Sequence, residues 1–240
     1  MQGNPYIRIE YLIGIDKVEK LKQAHVAVFG CGGVGSFAIE GLVRSGVKEL
    51  TLIDFDGIDV SNLNRQLMTN ASNIGQLKVE VMQERILSIH PDVMIHLKSI
   101  FFDAQSDLSF EEFDYVIDAI DAVNSKLEIM RRAEAAKVPM IMALGTARKL
   151  DPTQLRLSNL YHTSYCPLAK KVRILARKEG LQNIKVVTSL EEAKEATFVP
   201  ELNKVIVGSM IFVPASAGLL LASTVIQDLC QDDVIIKKMK

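Results

Sequence analysis

The 240-residue chain is 48% hydrophobic and 24% charged, ordinary for a soluble globular protein and enough for one large α/β core. A formal net charge of −1 excludes a global field that recruits nucleic acid, so any RNA contact has to come from a local patch. Three widely spaced cysteines, Cys31, Cys166 and Cys230, with no CxxC pair exclude a four-cysteine structural zinc; their odd number and the absence of a signal peptide lead us to expect a reducing, cytoplasmic compartment.

Residues 5–24 read as an arm followed by a helix whose apolar face carries Ile15, Val18 and Leu21. A short apolar strand, residues 25–29, then meets a glycine turn: Gly30, Gly32, Gly33 and Gly35. A helix carries the chain to Gly46, and a second strand, residues 50–53, ends in Asp54. Strand, glycine turn, helix, strand and acid make the first half of a nucleotide-binding unit. Without Cβ atoms the turn can approach a phosphate closely, and the helix start offers it unpaired N–H groups and a positive dipole end. Asp54 is spaced to accept hydrogen bonds from ribose hydroxyls.

The following loop is polar and holds Asp56, Asp59, Ser61, Asn62, Asn64, Arg65 and Gln66. A cation and amides beside a phosphate turn suit a triphosphate better than a nicotinamide. Residues 76–90 read as a helix that Pro91 stops. Lys78 lies in its first turn, where a cation opposes the dipole unless it meets an anion. Strands are expected at 93–98 and 115–120, the latter ending at Asp118 and Asp121. Two acids beyond a strand's carboxyl end can hold Mg2+; each can also cap the helix expected at 123–136, and Asp118 can instead contact ribose.

A further strand at 139–144 ends in Gly145-Thr146, and residues 154–158 alternate like a strand with one wet face. A basic helix follows at 167–180. Arg148, Lys149, Arg156, Lys170, Lys171, Arg173, Arg177 and Lys178 are eight cations against Asp151 alone, either an RNA-backbone patch or a solvated face. Tyr161 and Tyr165 lie nearby and can stack on a base. The uncharged stretch 205–227 reads as a buried strand (205–213) and a buried helix from Pro214 rather than a membrane span. Cys166, before Pro167 at a helix start, is either an alternative nucleophile or a buried inert thiol. The four histidines form no spaced metal constellation. With no linker or repeat, we expect one domain over 1–240: arm and helix 1–24, nucleotide-binding core 25–145, substrate-binding extension 146–240.

The motifs GxGGxG, LIDFD, SNLNRQ, Gly75-Gln-Leu-Lys78 and Asp118-Ala-Ile-Asp121 occur in an order that resembles the ubiquitin-activating-enzyme superfamily (the HesA/MoeB/ThiF group). Further on, GTARKLDPTQLRLSNL, CPLAKKVR and FVPASAGLLLAS resemble its tRNA threonylcarbamoyladenosine dehydratase branch. The resemblance implies a Rossmann-like α/β fold, with a mainly parallel central sheet extended by antiparallel strands. It implies ATP and Mg2+, with the glycine turn, Arg65 and Lys78 at the phosphates, Asp54 at the ribose and Asp121 at the metal. Asp56, Asn62, Asn64, Gln66 and Asp118 are the further nucleotide contacts it implies. It also implies a homodimer in which Arg8, on the arm, reaches a second subunit's phosphates; otherwise Arg8 is a solvated surface residue. The implied reaction is adenylation of the threonine carboxylate of the modified tRNA nucleoside, followed by internal ring closure. The rival is adenylation of a ubiquitin-like sulfur carrier, with a carrier or desulfurase partner. Many enzymes of that branch carry the CxxC pairs that this chain lacks.

Overall fold

The computed structural model describes residues 3–200, 203–231 and 236–237; residues 1–2 and 238–240 of the expected domain lie outside them. Two short helices, α1 (Ile7–Ile13) and α2 (Ile15–Gln23), lead into β1 (His25–Phe29), α3 (Gly35–Arg44), β2 (Glu49–Ile53), α4 (Lys78–Ile89), β3 (Met94–Lys98), β4 (Tyr115–Asp118), α5 (Val123–Ala135) and β5 (Met140–Ala143). Then follow β6 (Leu155–Asn159), α6 (Pro167–Lys178), β7 (Lys185–Ser189), β8 (Thr197–Val199), β9 (Lys204–Ile206) and α7 (Phe212–Leu229). The main sheet has seven strands in the order β3-β2-β1-β4-β5-β7-β6. Every pair in it is parallel except β6–β7.

The burial of β1 and β2 on both faces explains why they read as unbroken apolar runs. Helices cover the sheet, and three apolar clusters form its core. The chain runs outward from β1 to β2 and β3, then returns to β4 on the other side of β1. The carboxyl ends of β1 and β4 therefore flank the point where strand order reverses, the place where open α/β sheets bind ligands. Backbone contact there is tight: Ala119 N donates to Phe29 O (2.8 Å), and Gly30 N donates to Ile53 O (2.7 Å).

α7 lies along α3 at close range. A Cβ on Gly218 would stand 2.2 Å from Val34 O, and one on Gly41 would stand 2.7 Å from Ala222 Cβ. α7 is apolar and long enough to cross a membrane by composition, but half of it is buried against the rest of the molecule.

Three expectations are corrected. The buried strand at 205–213 is instead the three-residue β9, paired antiparallel with β8 in a separate ribbon. Val205, Ile206, Val207, Met210, Ile211 and Phe212 are all exposed. α7 starts two residues before Pro214, which needs no amide partner that early in a helix. Ile15 does not join Val18 and Leu21 in the core; it is 62% exposed at the first position of α2. The sequence reading also missed β7, a buried strand between β5 and β6 that joins the extension to the nucleotide-binding core.

Candidate active site

A cleft of about 470 Å3 opens at the carboxyl ends of β1, β2, β4 and β5. Gly30, Gly32 and Gly33 form one wall, with Asp54, Asp56, Arg65, Gln66, Lys78 and Asp121 around them. Gly30 has φ +93°, and a Cβ there would meet Ala119 O at 2.9 Å, so both its conformation and its surroundings demand glycine. Gly35 does different work. It does not line the cleft; a Cβ would fall 1.7 Å from Gly30 O, so its absence lets α3 start against the turn.

Asp54 directly follows β2 and fastens the turn. One of its oxygens accepts Cys31 N (2.7 Å) and the other accepts Asp56 N (2.9 Å). Burial pushes its carboxyl above the ordinary range, against the pull of Lys78 and the two amides. Lys78, the first residue of α4, is buried, and its Nζ donates to Asp56 Oδ2 at 2.6 Å. An anion thus meets the lysine that a helix start disfavours. The Arg65 guanidinium donates to Ser61 O (2.7 Å) and Asn64 Oδ1 (2.9 Å) while lining the cleft. Gln66 is buried, lines the cleft, and its Oε1 has no partner. An orphaned acceptor beside a glycine cradle is what a cleft built for a hydrogen-bonding ligand would show.

Asn62 and Asn64 do not line the cleft. Asn62 Oδ1 accepts Asp59 N (3.1 Å), completing a capping box that shapes the loop. Asn64 Nδ2 donates to Ser209 O (2.9 Å), tying the loop to the segment before α7. Asp118 sits deeper than its neighbours in the motif. It is fully buried beneath the cleft, and its Oδ1 accepts Lys126 Nζ (2.9 Å) and Ile120 N (3.2 Å). It does not line the cleft. Asp121 is exposed in the cleft. Arg8 is exposed on α1 and does not line the cleft of its own chain.

Several features were not read from the sequence. Lys126, fully buried on α5, donates also to Ala143 O (2.9 Å), so it braces two cleft-forming strands. A lysine on an amphipathic helix gave no sign of this. Phe55 and Phe101, edge-to-face at 5.1 Å and half exposed, give the cleft an aromatic wall. Phe55 directly follows Asp54, a signal that could have been used. His25, Glu49 and His96, which sequence spacing kept apart, bring ligand-type atoms within 4.8 Å on three adjacent strands; His25 Nε2 pairs with Thr51 Oγ1 at 2.8 Å. They lie toward the amino ends of β1 and β2, away from the cleft.

Two of the three thiols, Cys31 and Cys166, are buried. Burial and Asp54 push Cys31 well up, away from the thiolate. Cys166 is buried at the cap of α6, with its sulfur accepting Ala169 N (3.3 Å).

The chemistry open to this site is clear from its charges. Asp54 and Asp56 are committed to amides and Lys78, which leaves Asp121 as the uncommitted carboxylate among the described residues that line the cleft; Asp118, below it, gives one oxygen to Lys126, and its other oxygen is buried without a partner. One carboxylate beside a phosphate cradle fits Mg2+, which keeps waters and takes phosphate oxygens. The volume also falls within the usual range for small-molecule sites.

Comparison with known proteins agrees with this geometry. The chain matches the ThiF family over residues 6–237. It is 36% identical to a tRNA threonylcarbamoyladenosine dehydratase of Bacillus subtilis (strain 168), over 98% of each chain. Its fold is similar to E. coli TcdA, a tRNA N6-threonylcarbamoyladenosine dehydratase, solved with AMP (31% identity, TM-score 0.82, 92% of this chain and 91% of that one). The same enzyme solved with ATP gives 30% identity and a TM-score of 0.82, over 94% of this chain and 93% of that one. With its glycine cradle, its Arg65–Lys78–Asp121 cleft and likeness along nearly the whole chain, the protein belongs to the ThiF family, in the branch of the tRNA threonylcarbamoyladenosine dehydratases.

Proposed function

We propose that this protein uses ATP to dehydrate threonylcarbamoyladenosine in tRNA by adenylating its carboxylate. The observation that carries the reading is the cleft itself: a glycine cradle, two cations and one uncommitted carboxylate at the reversal of strand order. A carboxylate is a poor electrophile at neutral pH. Joined to AMP, it gains a good leaving group. The carboxylate oxygen attacks the α-phosphorus, pyrophosphate departs, and the neighbouring carbamoyl group closes a ring on the activated carbonyl as AMP leaves.

The protein's part is positioning and charge neutralisation. Glycine-turn amides and Arg65 hold the phosphates, and Lys78, already oriented by Asp56, stands beside them. Asp54 faces the ribose and Phe55 the purine side. Asp121 would hold Mg2+, which when bound offsets charge on the departing pyrophosphate. Because the final nucleophile belongs to the substrate, no protein thiol is required, in keeping with the burial of Cys31 and Cys166. In a homodimer, Arg8 would reach the cleft of the second copy, as the arm's resemblance implies. Cytoplasmic placement follows from the RNA substrate.

The test is incubation of the purified protein with Mg-ATP and tRNA carrying the modified nucleoside. We expect AMP, pyrophosphate and a nucleoside lighter by one water on mass spectrometry. Pyrophosphate exchange that requires a GlyGly-ended protein instead would assign the chain to sulfur-carrier activation.

A further inference from the structure

The eight cations counted between Arg148 and Lys178 do not form one patch. Lys149 is buried and donates to Ser189 O (3.2 Å). Arg148 donates to Lys194 O (3.0 Å), Arg156 to Thr153 O and Leu155 O (both 2.7 Å), and Arg173 to Thr163 O (2.8 Å) and its hydroxyl (2.6 Å). Those four serve the local fold. The other four, Lys170, Lys171, Arg177 and Lys178, are exposed on α6, and among the described residues none forms an ion pair.

Their placement is ordered. Two adjacent cations recur two helical turns later, so all four share the side opposite the buried Ala169, Val172 and Ala176. Glu179, the acid just beyond, is held by two bonds from Arg131 at 2.6 Å and does not offset them. The helix dipole accounts for Arg177 and Lys178 at the carboxyl end. It does not account for Lys170 and Lys171, the fourth and fifth residues of the helix.

The ends of the helix are equally telling. Its first turn reaches the cleft, where Leu168 lines the wall. Its last turn borders an open hollow of about 380 Å3, where the Arg177 guanidinium lies over the Tyr161 ring, 5.3 Å from the centroid. Twelve residues of helix span about 18 Å, the rise of about five nucleotides along one strand of a duplex.

We infer that the exposed face of α6 is the track on which the phosphate backbone of the RNA substrate lies, running from the cleft to the Tyr161–Arg177 hollow, which takes an unpaired base by stacking. This rests on the proposed function and adds where the macromolecule docks. A modified nucleotide drawn into the cleft has to leave through flanking phosphates, and α6 supplies cations along that exit. The ring and guanidinium at its far end offer the flat faces that single-stranded bases use.

The experiment measures binding of fluorescently labelled tRNA bearing the modified nucleoside to the full chain by anisotropy, across a salt series. In the Lys170→Ala/Lys171→Ala/Arg177→Ala/Lys178→Ala variant we expect Kd at 0.1 M salt to rise tenfold or more. The slope of log affinity against log salt should become shallower by about 3, since each neutralised phosphate contributes about 0.7 to 0.9. ATP affinity by calorimetry should stay at the wild-type value. A second variant with Lys170→Arg/Lys171→Arg/Arg177→Lys/Lys178→Arg should keep wild-type RNA affinity, which separates charge from folding. Tyr161→Ala should weaken RNA binding about fivefold or more, while Tyr161→Phe, which keeps the ring but loses the hydroxyl bond to Leu181 O, should not. If wild-type protein dehydrates tRNA and the quadruple alanine variant binds it with unchanged Kd and slope, the docking track is wrong and the function stands. If wild-type protein neither binds nor dehydrates tRNA, and responds to an acidic GlyGly-ended protein, both readings fall together.

Discussion

Two aspartates three positions apart, Asp118 and Asp121, look equivalent in the sequence and are not. Asp118 is fully buried and shares its charge with Lys126; Asp121 faces the cleft. Burial raises the Asp118 carboxyl above its ordinary range, and Lys126 opposes that rise. Lys126→Met would strand a buried carboxylate, so we expect a stability loss of about 3–5 kcal/mol in urea titrations, largely recovered by adding Asp118→Asn. Asp121→Asn, at an exposed position, should leave the melting temperature unchanged and lower the rate of pyrophosphate formation by about 100-fold or more. Near-normal turnover in that variant would remove Asp121 from the metal role. The motif alone located both acids at the right end of β4. What it could not give was depth, because depth depends on Lys126 arriving from α5 and on Ala143 accepting its second bond. Arg65, Lys78 and Gln66 were legible because loop and cleft are contiguous in the chain; Asn62 and Asn64 share the motif but serve loop geometry and the segment before α7.

At the scale of elements, apolar runs flanked by turns revealed β1, β2 and β5 almost to the residue, and β4 with two residues too many at its carboxyl end. β7 escaped because its partners come from both halves of the chain and its few apolar residues carry no periodicity of their own. The ribbon of β8 and β9 was mistaken for a core strand because composition records that Val205–Val207 are apolar, not that they are exposed. The pairing of α3 with α7 was invisible too, since it rests on two glycines that let the helices approach closely. Alanine normally favours a helix by about 1 kcal/mol over glycine. At Gly218 the added methyl would meet Val34 O at 2.2 Å, Phe37 Cβ at 2.9 Å and Ala38 N at 3.0 Å, all on or next to the backbone of α3. Overpacking should win, and Gly218→Ala should destabilise the fold by about 1–3 kcal/mol by denaturant titration. A more stable variant would mean that α7 slides freely on α3.

For the whole molecule, the sheet runs without a break from the nucleotide half to the extension, through β5, β7 and β6. Ligand capture at one end of this sheet should therefore be felt as global stability. At 100 times its Kd, ATP with Mg2+ should stabilise the native state by about 2.7 kcal/mol, raising the melting temperature by about 5–10 °C for a chain of this size. NADH at the same concentration should leave it in place; the opposite pattern in scanning fluorimetry would undo the adenylation reading. The clamp between Asp56 and Lys78 bears on that encounter. Its ammonium is buried and already held when folding ends, so most of the rotamer freedom a long cation loses was surrendered during chain collapse. An arriving nucleotide then has little left to immobilise on the protein side, and its residence time is governed by what it must break on leaving.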